Sequence, residues 1–442
     1  MNRWHAEYAW LGDGPARDVL LEAADGRFTS VVAGVAAPPP DAQRLPGITL
    51  PGLANAHSHA FHRALRGRAD NPRGTFWNWR EGMYLLADRL DPDTYHALAR
   101  AVYAEMALAG VTCVGEFHYL HHAPGGTPYD DPNAMAEALL AAAAEAGVRL
   151  TLLDTCYLVS TVDGRVLSGT QLRFGDGSAD AWAARAAALR PPDADRARIG
   201  AAIHSVRAVP VEQMSTVVGW ADERNAPLHA HLSEQRAENA ASIVFYGRTP
   251  TEVLLDAGGL GPRTTVVHAT HLSDTDRAEL GDSDTAVCLC PTTERDLADG
   301  MGAARPLADA DSPLCVGSDS HAVVDLFEET RAVELDERLR TEHRGHFTNA
   351  ELLHVATAAG HAALGWPDAG VLAAGARADL VTVRLDSVRT AGCDPAAIVF
   401  AASAADVTQV VVDGRPVVRD GVHCGLPDAA SSLARAIAAV LP

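Results

Sequence analysis

Residues 48–59 carry the stretch ITLPGLANAHSH, which is largely apolar until it ends in His57-Ser58-His59. Side chains alternate along a β-strand, so residues two apart point to the same side, and the two imidazoles can share one metal ion. An apolar strand with polar residues at its carboxyl end is typical of parallel barrels, whose chemistry gathers at that end. The stretch therefore predicts the first strand of such a barrel and a pair of metal ligands.

Seven further β-rich segments also end in polar residues, and Ala-rich helical stretches such as AMAEALLAAAAEAG and AWAARAAALR separate them. The first of these helical stretches ends in Gly147, which suits a helix C-terminal cap. This alternation predicts βα units around a parallel sheet, and eight strands favour a closed (β/α)8 barrel over an open sheet. The seven segments are VTCVGEFH, RLTLLDTCY, RIGAAIHS, PLHAHLSE, TTVVHATH, TAVCLCP and PLCVGSDS, which end near residues 118, 157, 205, 234, 271, 291 and 320.

Both ends of the chain carry strand patterns outside these units. DVLLEA and TSVVAGVA precede the barrel, whereas ADLVTVRLD and QVVVDGRPVVRDG follow it, the last with a hairpin turn at Asp413-Gly414. Because each end is too short to bury a core alone, we expect the two to pack together as one small β-sandwich. The predicted domains are residues 1–49 for the N-terminal part of the sandwich, 50–366 for the barrel, and 367–442 for the C-terminal part with its last helix.

The composition restricts the class of protein. The chain has 442 residues, 48% of them hydrophobic and 21% charged, which is usual for a globular protein. Its net charge is −21 and all 36 basic residues are arginine, which argues against nucleic acid as a partner. Without a long apolar run or a secretory signal, we expect no membrane contact and a cytoplasmic location. The seven cysteines contain no CxxC pair, so we expect buried thiols rather than disulfides.

Two later strand ends complete a set of metal ligands. His231 ends the fifth predicted strand and Asp319 ends the eighth, so that with His57 and His59 they form three imidazoles and one carboxylate. This ligand set suits zinc, with an open position for water. Many barrel hydrolases hold two metals bridged by a carboxylated lysine, and a sequence without lysine predicts one metal instead.

Two further residues are candidates for proton transfer. Glu234 lies three residues after His231, where a carboxylate can take a proton from a metal-bound water, and His268 ends the sixth strand. A single histidine is more often a hydrogen-bonded structural residue than a catalytic one. The combination at strands one, five, six and eight nevertheless indicates a hydrolytic metal centre, in which Asp319 also helps to orient the attacking water.

At these residues the sequence resembles a known family, the formimidoylglutamate deiminases of the amidohydrolase superfamily. The likeness runs in order from about residue 50 to 345, and GVLAAGARADLVTVRLD resembles the return strand of the wider superfamily. The motifs that carry it are PGLANAHSHAFHRALRG, TFWNWREGMY, GEFHYLHH, IHSVRAV, HAHLSEQRAE, HATHLSD, CPTTERDLADG and GSDSHAVVDLFEETR.

The resemblance implies hydrolysis of N-formimino-L-glutamate to N-formyl-L-glutamate and ammonia in histidine degradation. It implies a homodimer with one Zn²⁺ per subunit, with Fe²⁺ or another divalent metal as the alternative. The substrate is a small anionic amidine, which the negatively charged chain must hold through local arginines. The implied substrate contacts are Arg80, Tyr119, His204 and Arg207. His62 is the fifth predicted substrate contact. It stands where this branch often has glutamine, which leaves the aspartate homologue of the substrate open.

Two other functions remain open at this point. A deaminase acting on a purine, pyrimidine or triazine ring would use the same metal ligands, but ring substrates need aromatic stacking whereas Arg80 and Arg207 favour a carboxylate. A barrel that binds a metabolite without catalysis is the more distant alternative. The complete ligand set together with Glu234 argues against this alternative.

Overall fold

The computed structural model describes residues 2–68 and 76–441. Of the motif TFWNWREGMY, Thr75 lies outside the described residues, and so do the side chains of Phe76 and Trp77. Within the described part, the strands form two sheets of eight strands each. One is a parallel barrel, and the other combines strands from the two ends of the chain.

The N-terminal strands precede the barrel and are connected to it through a glycine. They are β1 (Asn2–Leu11), β2 (Gly14–Ala24), β3 (Arg27–Val32) and β4 (Gln43–Pro51). The predicted strand ITLPGLANAHSH is thus divided, because β4 ends at Pro51 and the barrel begins at Leu53. A Cβ on the intervening Gly52 would lie 2.3 Å from the Thr112 hydroxyl, so the chain passes between the two sheets where only glycine fits.

The barrel strands run parallel in chain order, which confirms the predicted fold class. They are β5 (Leu53–Ser58), β6 (Val111–His118), β7 (Arg149–Cys156), β8 (Ala197–Ser205), β9 (Leu228–Leu232), β10 (Thr264–His268), β11 (Ala286–Leu289) and β12 (Leu314–Val316). The seam between first and last strand is closed by a parallel bridge from Ser58 to Asp319. Polar strand ends from the whole ring therefore meet around one opening.

The C-terminal strands join the N-terminal ones in the second sheet. They are β13 (Leu380–Val383), β14 (Val407–Val412), β15 (Arg415–Arg419) and β16 (Val422–His423). The sheet order is β16-β15-β14-β13-β4-β1-β2-β3, so β13 pairs with β4 and connects the two chain ends. The predicted pairing of the termini is confirmed, and β14 and β15 form the expected hairpin. The domain boundaries at 49/50 and 366/367 stay predictions.

Helices cover the outside of the barrel. Gly147, at φ 78°, caps the third of them as its position in the sequence predicts. Among the described residues, no helix has the length and apolar character that crossing a bilayer requires. The helices are α1 (Phe76–Ala87), α2 (Pro92–Leu108), α3 (Ala134–Ala146), α4 (Ala179–Ala188), α5 (Val211–Glu223), α6 (Arg236–Tyr246), α7 (Pro250–Asp256), α8 (Asp274–Asp282), α9 (Pro291–Asp296), α10 (Ala304–Asp309), α11 (Leu326–Thr341), α12 (Asn349–His354), α13 (Gly360–Ala363), α14 (Ile398–Ala401) and α15 (Ala429–Val440).

A buried ion pair joins the barrel to the second sheet. Arg149 on β7 is fully buried, and its guanidinium donates to Asp379 at 2.6 Å and to Asp413 at 2.5 Å. Its guanidinium carbon also lies 5.1 Å from the centre of the Trp366 ring. All seven cysteines are free, and five are buried as expected, whereas Cys393 is partly exposed and Cys424 is exposed.

Candidate active site

Four side chains converge at the carboxyl end of the barrel. His57 lies in β5 and His59 directly follows this strand, His231 lies in β9, and Asp319 follows β12. Oδ1 of Asp319 lies 3.3 Å from Nε2 of His57 and 3.4 Å from Nε2 of His59. The Nε2 atoms of His57 and His231 are 3.1 Å apart. The structure thus brings all four predicted ligands together, with their ligand atoms within 4.8 Å of one another.

The backbone holds Asp319 against the first strand. Its N–H donates to the His57 carbonyl at 3.0 Å, and its own carbonyl accepts the N–H of His59 at 3.2 Å. Asp319 has a φ of 41°, which is uncommon for a residue other than glycine and costs energy. At Gly317 a Cβ would lie 2.7 Å from the His57 carbonyl oxygen, so the close approach requires glycine.

The ligand atoms suit a divalent metal. Nδ1 of His59 donates to the Phe117 carbonyl and Nδ1 of His231 to the His204 carbonyl, each at 2.9 Å, which leaves both Nε2 lone pairs facing the centre. Burial lowers the pKa of His57, His59 and His231, so these imidazoles are neutral and able to bind metal. With metal–nitrogen bonds of about 2.0–2.1 Å, a tetrahedral ion separates its ligands by about 3.3 Å, close to the spacing observed.

The two residues predicted to transfer protons, Glu234 and His268, lie beside these ligands. Oε1 of Glu234 lies 4.0 Å from Nε2 of His268, and the same nitrogen lies 3.8 Å from Oδ2 of Asp319. On the other side of its ring, Nδ1 of His268 lies 3.4 Å from Oε1 of Glu294. Burial raises the pKa of Glu234. Burial opposes a charge on His268, but Glu234 and Glu294 outweigh it and raise the pKa of His268 to about 10.

One cavity connects the metal ligands with the side chains predicted to hold the substrate. The predicted residues that line it are His59, His62, Arg80, Tyr119, His204, Arg207, His231, Glu234, His268 and Asp319. A larger cavity of about 750 Å³ lies elsewhere, between Trp10 and Phe347, and none of the predicted site residues line it. The smaller cavity is therefore the candidate active site, because three of the four predicted metal ligands and both predicted proton-transfer groups line it.

His62 and Tyr119 form a buried pair in this cavity. Nε2 of His62 lies 2.9 Å from the Tyr119 hydroxyl, and burial lowers the pKa of His62 to about 3. The ring of His62 packs against His59 at 4.5 Å and edge-on against Trp79 at 4.9 Å between ring centres. His62 is thus a neutral group that orients the Tyr119 hydroxyl.

The two predicted arginines each lie beside a tyrosine. Nη1 of Arg207 donates to the Tyr157 hydroxyl at 3.3 Å, and the guanidinium carbon of Arg80 lies 5.6 Å from the centre of the Tyr84 ring. Nε2 of Gln171 donates to both tyrosine hydroxyls at 3.2 Å. This end of the cavity therefore offers two permanent positive charges and several hydrogen-bonding groups, an arrangement that suits a carboxylate.

Comparison with known proteins agrees with this geometry. The model of the amidohydrolase family matches residues 48–417, which includes the whole barrel and most of the second sheet's C-terminal strands. The chain belongs to the amidohydrolase family. Members of this family are metal-dependent hydrolases, and the ligand cluster lies where the barrel fold gathers its chemistry.

Named amidohydrolase relatives match almost the full length. Formimidoylglutamate deiminase of Pseudomonas aeruginosa is 37% identical over 96% of this chain and 96% of its own. An 8-oxoguanine deaminase of the same organism is 29% identical over 88% of this chain and 86% of its own. The crystal structure of an amidohydrolase from Brucella melitensis superposes with a TM-score of 0.93 and 33% identity, covering 100% of both chains.

The amidohydrolase site also contains residues that the sequence reasoning did not single out. Glu294 lies in the motif CPTTERDLADG and Tyr84 in TFWNWREGMY, but neither motif assigned them a role. Tyr157 directly follows β7, so its position at a strand end was the available signal. Gln171 comes from a 3₁₀ helix, Gly169–Arg173, in a long connection, and no pattern in the sequence marks it.

Proposed function

We propose that this chain hydrolyses N-formimino-L-glutamate to N-formyl-L-glutamate and ammonia, as a step of histidine degradation. One observation carries the proposal: Arg80 and Arg207 line the same cavity as the metal ligands, so a carboxylate-bearing substrate has its reacting carbon beside the metal centre. The 37% identity to a formimidoylglutamate deiminase supports the same substrate.

We infer that the resident metal is one Zn²⁺ held by His57, His59, His231 and Asp319. Three imidazoles and a carboxylate are ligands that zinc accepts readily, although Fe²⁺ and other divalent metals share this preference. When bound, zinc lowers the pKa of a coordinated water and polarises a neighbouring C=N bond. The ligand spacing near 3.3 Å supports the assignment.

Glu234 is the proton carrier of the proposed reaction. Its carboxylate takes a proton from the attacking water while the water oxygen bonds to the formimino carbon, which becomes tetrahedral. The same carboxyl delivers this proton to the terminal nitrogen, then takes the proton of the new hydroxyl and passes it to the same nitrogen as the carbon–nitrogen bond breaks. The nitrogen, which began with one hydrogen, thus gains both protons of the water and leaves as ammonia. A formyl group remains on the glutamate nitrogen, so the net change is the addition of one water and the loss of one ammonia.

His268 stabilises the tetrahedral carbon in this proposal. Its Nε2 faces both Glu234 and Asp319, whereas Nδ1 is held by Glu294. Because its pKa is raised to about 10, His268 is a hydrogen-bond donor at neutral pH and can stabilise negative charge that develops during attack. Asp319 contributes as a ligand and by orienting the attacking water.

The remaining cavity residues hold the substrate. Arg207 and Arg80 would bind its carboxylates, since a guanidinium can donate two parallel hydrogen bonds to one carboxylate. Tyr119, oriented by His62, and His204 would contact the part of the substrate nearer the metal. The aspartate homologue, one methylene shorter, stays an alternative substrate because His62 replaces the usual amide.

Ring deamination is the second candidate function. The 29% identical 8-oxoguanine deaminase supports it, and Tyr157 and Phe174 offer aromatic surface in the cavity. A purine, however, has no carboxylate for Arg207 and Arg80 to bind. Two guanidinium groups in the cavity therefore favour the acidic amidine.

The decisive experiment measures two products from one substrate. Zinc-loaded protein is given N-formimino-L-glutamate, and released ammonia is measured beside N-formyl-L-glutamate, with N-formimino-L-aspartate, adenosine, guanine and cytosine in parallel. We expect equal amounts of both products from the glutamate compound. Faster ammonia release from a ring substrate would replace the proposal, and no turnover of any substrate with metal bound would favour a non-catalytic barrel. The homodimer and the cytoplasmic location remain predictions, which light scattering and cell fractionation check.

A further inference from the structure

A second group of metal-ligating side chains lies apart from the active site. His118 ends β6, His121 follows three residues later, and Asp154 lies in the neighbouring strand β7. One ligand atom from each lies within 4.8 Å of the others. All three residues are buried, with exposures of 1%, 1% and 0%. None of the three lines the active-site cavity.

The nitrogens of these imidazoles lack hydrogen-bond partners. Neither Nδ1 nor Nε2 of His118 has one, and neither has Nδ1 of His121. A buried polar group without a partner is destabilising, so three such atoms in one place require an explanation. The two rings meet edge to face, with their centres 4.8 Å apart.

The hydrogen bond on the far side of His121 determines its tautomer. Nε2 of His121 lies 2.9 Å from the Thr155 carbonyl oxygen, which only accepts hydrogen bonds, so the proton is on Nε2. Nδ1 therefore carries a lone pair that points into the cluster. Metal-binding histidines usually have this second hydrogen bond, and His59 and His231 show the same device in the active site.

Asp154 is fixed in place while retaining ligand capacity. Its Oδ1 accepts Trp182 Nε1 at 2.8 Å and Arg185 Nη2 at 2.8 Å, whereas Oδ2 accepts only Arg185 Nη1, at 2.9 Å. A carboxylate oxygen has two lone pairs, so Oδ2 keeps one. Arg185 also bonds Asp176, and with both imidazoles neutral, two carboxylates face one guanidinium. The net negative charge favours a cation here.

We propose that His118, His121 and Asp154 bind a second divalent metal ion, of the class to which zinc belongs. Two imidazole nitrogens and one carboxylate oxygen are ligands of the kind that zinc takes, and the fourth position is left to water. The ion would bind one ring nitrogen of His118 and the lone pair of His121 at once. Its role is structural, because the cluster is closed to solvent and does not touch the reacting groups.

The position of the ion connects it to the substrate cavity. Tyr119 directly follows His118, and its hydroxyl pairs with His62 in the active site. The backbone N–H groups of His121 and His122 both donate to the Arg173 carbonyl at 3.0 Å. A metal that holds His118 and His121 would therefore fix both sides of Tyr119 and orient its ring toward the cavity.

The test counts metal ions and locates them. Protein produced with zinc is freed of loose metal and measured by plasma mass spectrometry; we expect two equivalents per chain for the wild type and one for His121→Ala. His122→Ala is the matched control, because His122 bonds Asp176 outside the cluster, and it should keep two. Asp319→Ala should keep the structural ion alone. These counts need no substrate, so they are independent of the proposed reaction.

Crystals of the wild type give a second measurement that does not depend on any variant folding. Diffraction recorded on both sides of the zinc absorption edge should show an anomalous peak between His118, His121 and Asp154, besides the peak at the active site. A single peak at the active site, together with one equivalent in solution, would overturn the proposal and assign the unpaired nitrogens to enclosed water.

Discussion

Replacing Glu234 by glutamine tests the proposed chemistry with little change in shape. Glutamine keeps the size of the side chain and the backbone N–H that donates to Glu238 at 3.3 Å. It removes the negative charge and the proton-accepting oxygen that faces His268 at 4.0 Å. Glu234 does not belong to the cluster of predicted ligands, so the metal content should stay unchanged.

The expected loss can be worked out from the geometry. A positioned proton carrier contributes about 10²–10⁴ in rate, or about 3–5 kcal/mol of activation free energy. The attraction between Glu234 and a charged His268 at 4.0 Å is of the same size, about 4 kcal/mol at an effective dielectric constant of about 20. We therefore expect Glu234→Gln to lower kcat by about 10²–10⁴.

The assay couples released ammonia to NADH oxidation by glutamate dehydrogenase and measures bound metal in the same samples. The pH profile gives an independent check, because the base must be ionised to act. Burial raises the pKa of Glu234 above its ordinary value of 4.5. As the pH is lowered, the wild type should therefore lose activity at a pH higher than 4.5, where Glu234 becomes protonated. The residual activity of the variant should not show this loss at low pH. A kcat within tenfold of the wild type at unchanged metal content would refute the role of Glu234.

Three further substitutions test other parts of the structure. Arg207→Gln should lower kcat/KM for the acidic amidine by about 10–10², since charged hydrogen bonds contribute about 1.5–3 kcal/mol, and steady-state kinetics measures it. Gly317→Ala places a Cβ 2.7 Å from the His57 carbonyl and should weaken metal binding at least about tenfold in chelator competition, comparable with the loss of other groups that orient ligands. Arg149→Met leaves Asp379 buried without its partner and should lower the free energy of unfolding in urea by about 3–5 kcal/mol.

Matched controls distinguish these effects from general damage. Gly219→Ala lies in α5, where an added Cβ meets no atom within 4 Å, and it should leave metal affinity unchanged. Arg384→Met removes an exposed pair with Asp386 and should cost less than about 1 kcal/mol. If Gly219→Ala weakened metal binding as much as Gly317→Ala, the close approach at Gly317 would not explain the loss. If Arg384→Met lowered the free energy of unfolding as much as Arg149→Met, the buried ion pair would not explain the loss. Full activity of Arg207→Gln would contradict its role in binding the substrate.

The barrel and the convergence of the proposed metal ligands were predictable because both follow from one rule. Parallel strands alternate with helices, and chemistry gathers where such strands end. His231 and His268 each lie in a short apolar strand near its carboxyl end, so their positions in sequence already placed them around one opening. That inference needs no knowledge of side-chain contacts, because the direction of the strands alone determines which residues lie at the opening.

Other features depend on contacts that no local pattern contains. The division of the first predicted strand at Gly52 follows from the close approach of Thr112, which lies sixty residues away in the chain. Gln171 reaches two tyrosine hydroxyls from a connection without regular spacing. The orientation of His268 by Glu294 requires the turn that begins α9 to fold back over β10. Sequence periodicity carries no information on such distances.

The seam of the barrel connects folding with chemistry. Elsewhere in the described barrel, neighbouring strands pair through three or more residues. At the seam, β5 and the segment that follows β12 are joined by the bridge from Ser58 to Asp319 and by the backbone hydrogen bonds beside it. His57 and His59 lie on one side of this seam and Asp319 on the other. An ion bound between them joins the first and last strands directly. Because anything that binds only the folded chain stabilises it, the ion proposed for catalysis would also stabilise the closed barrel.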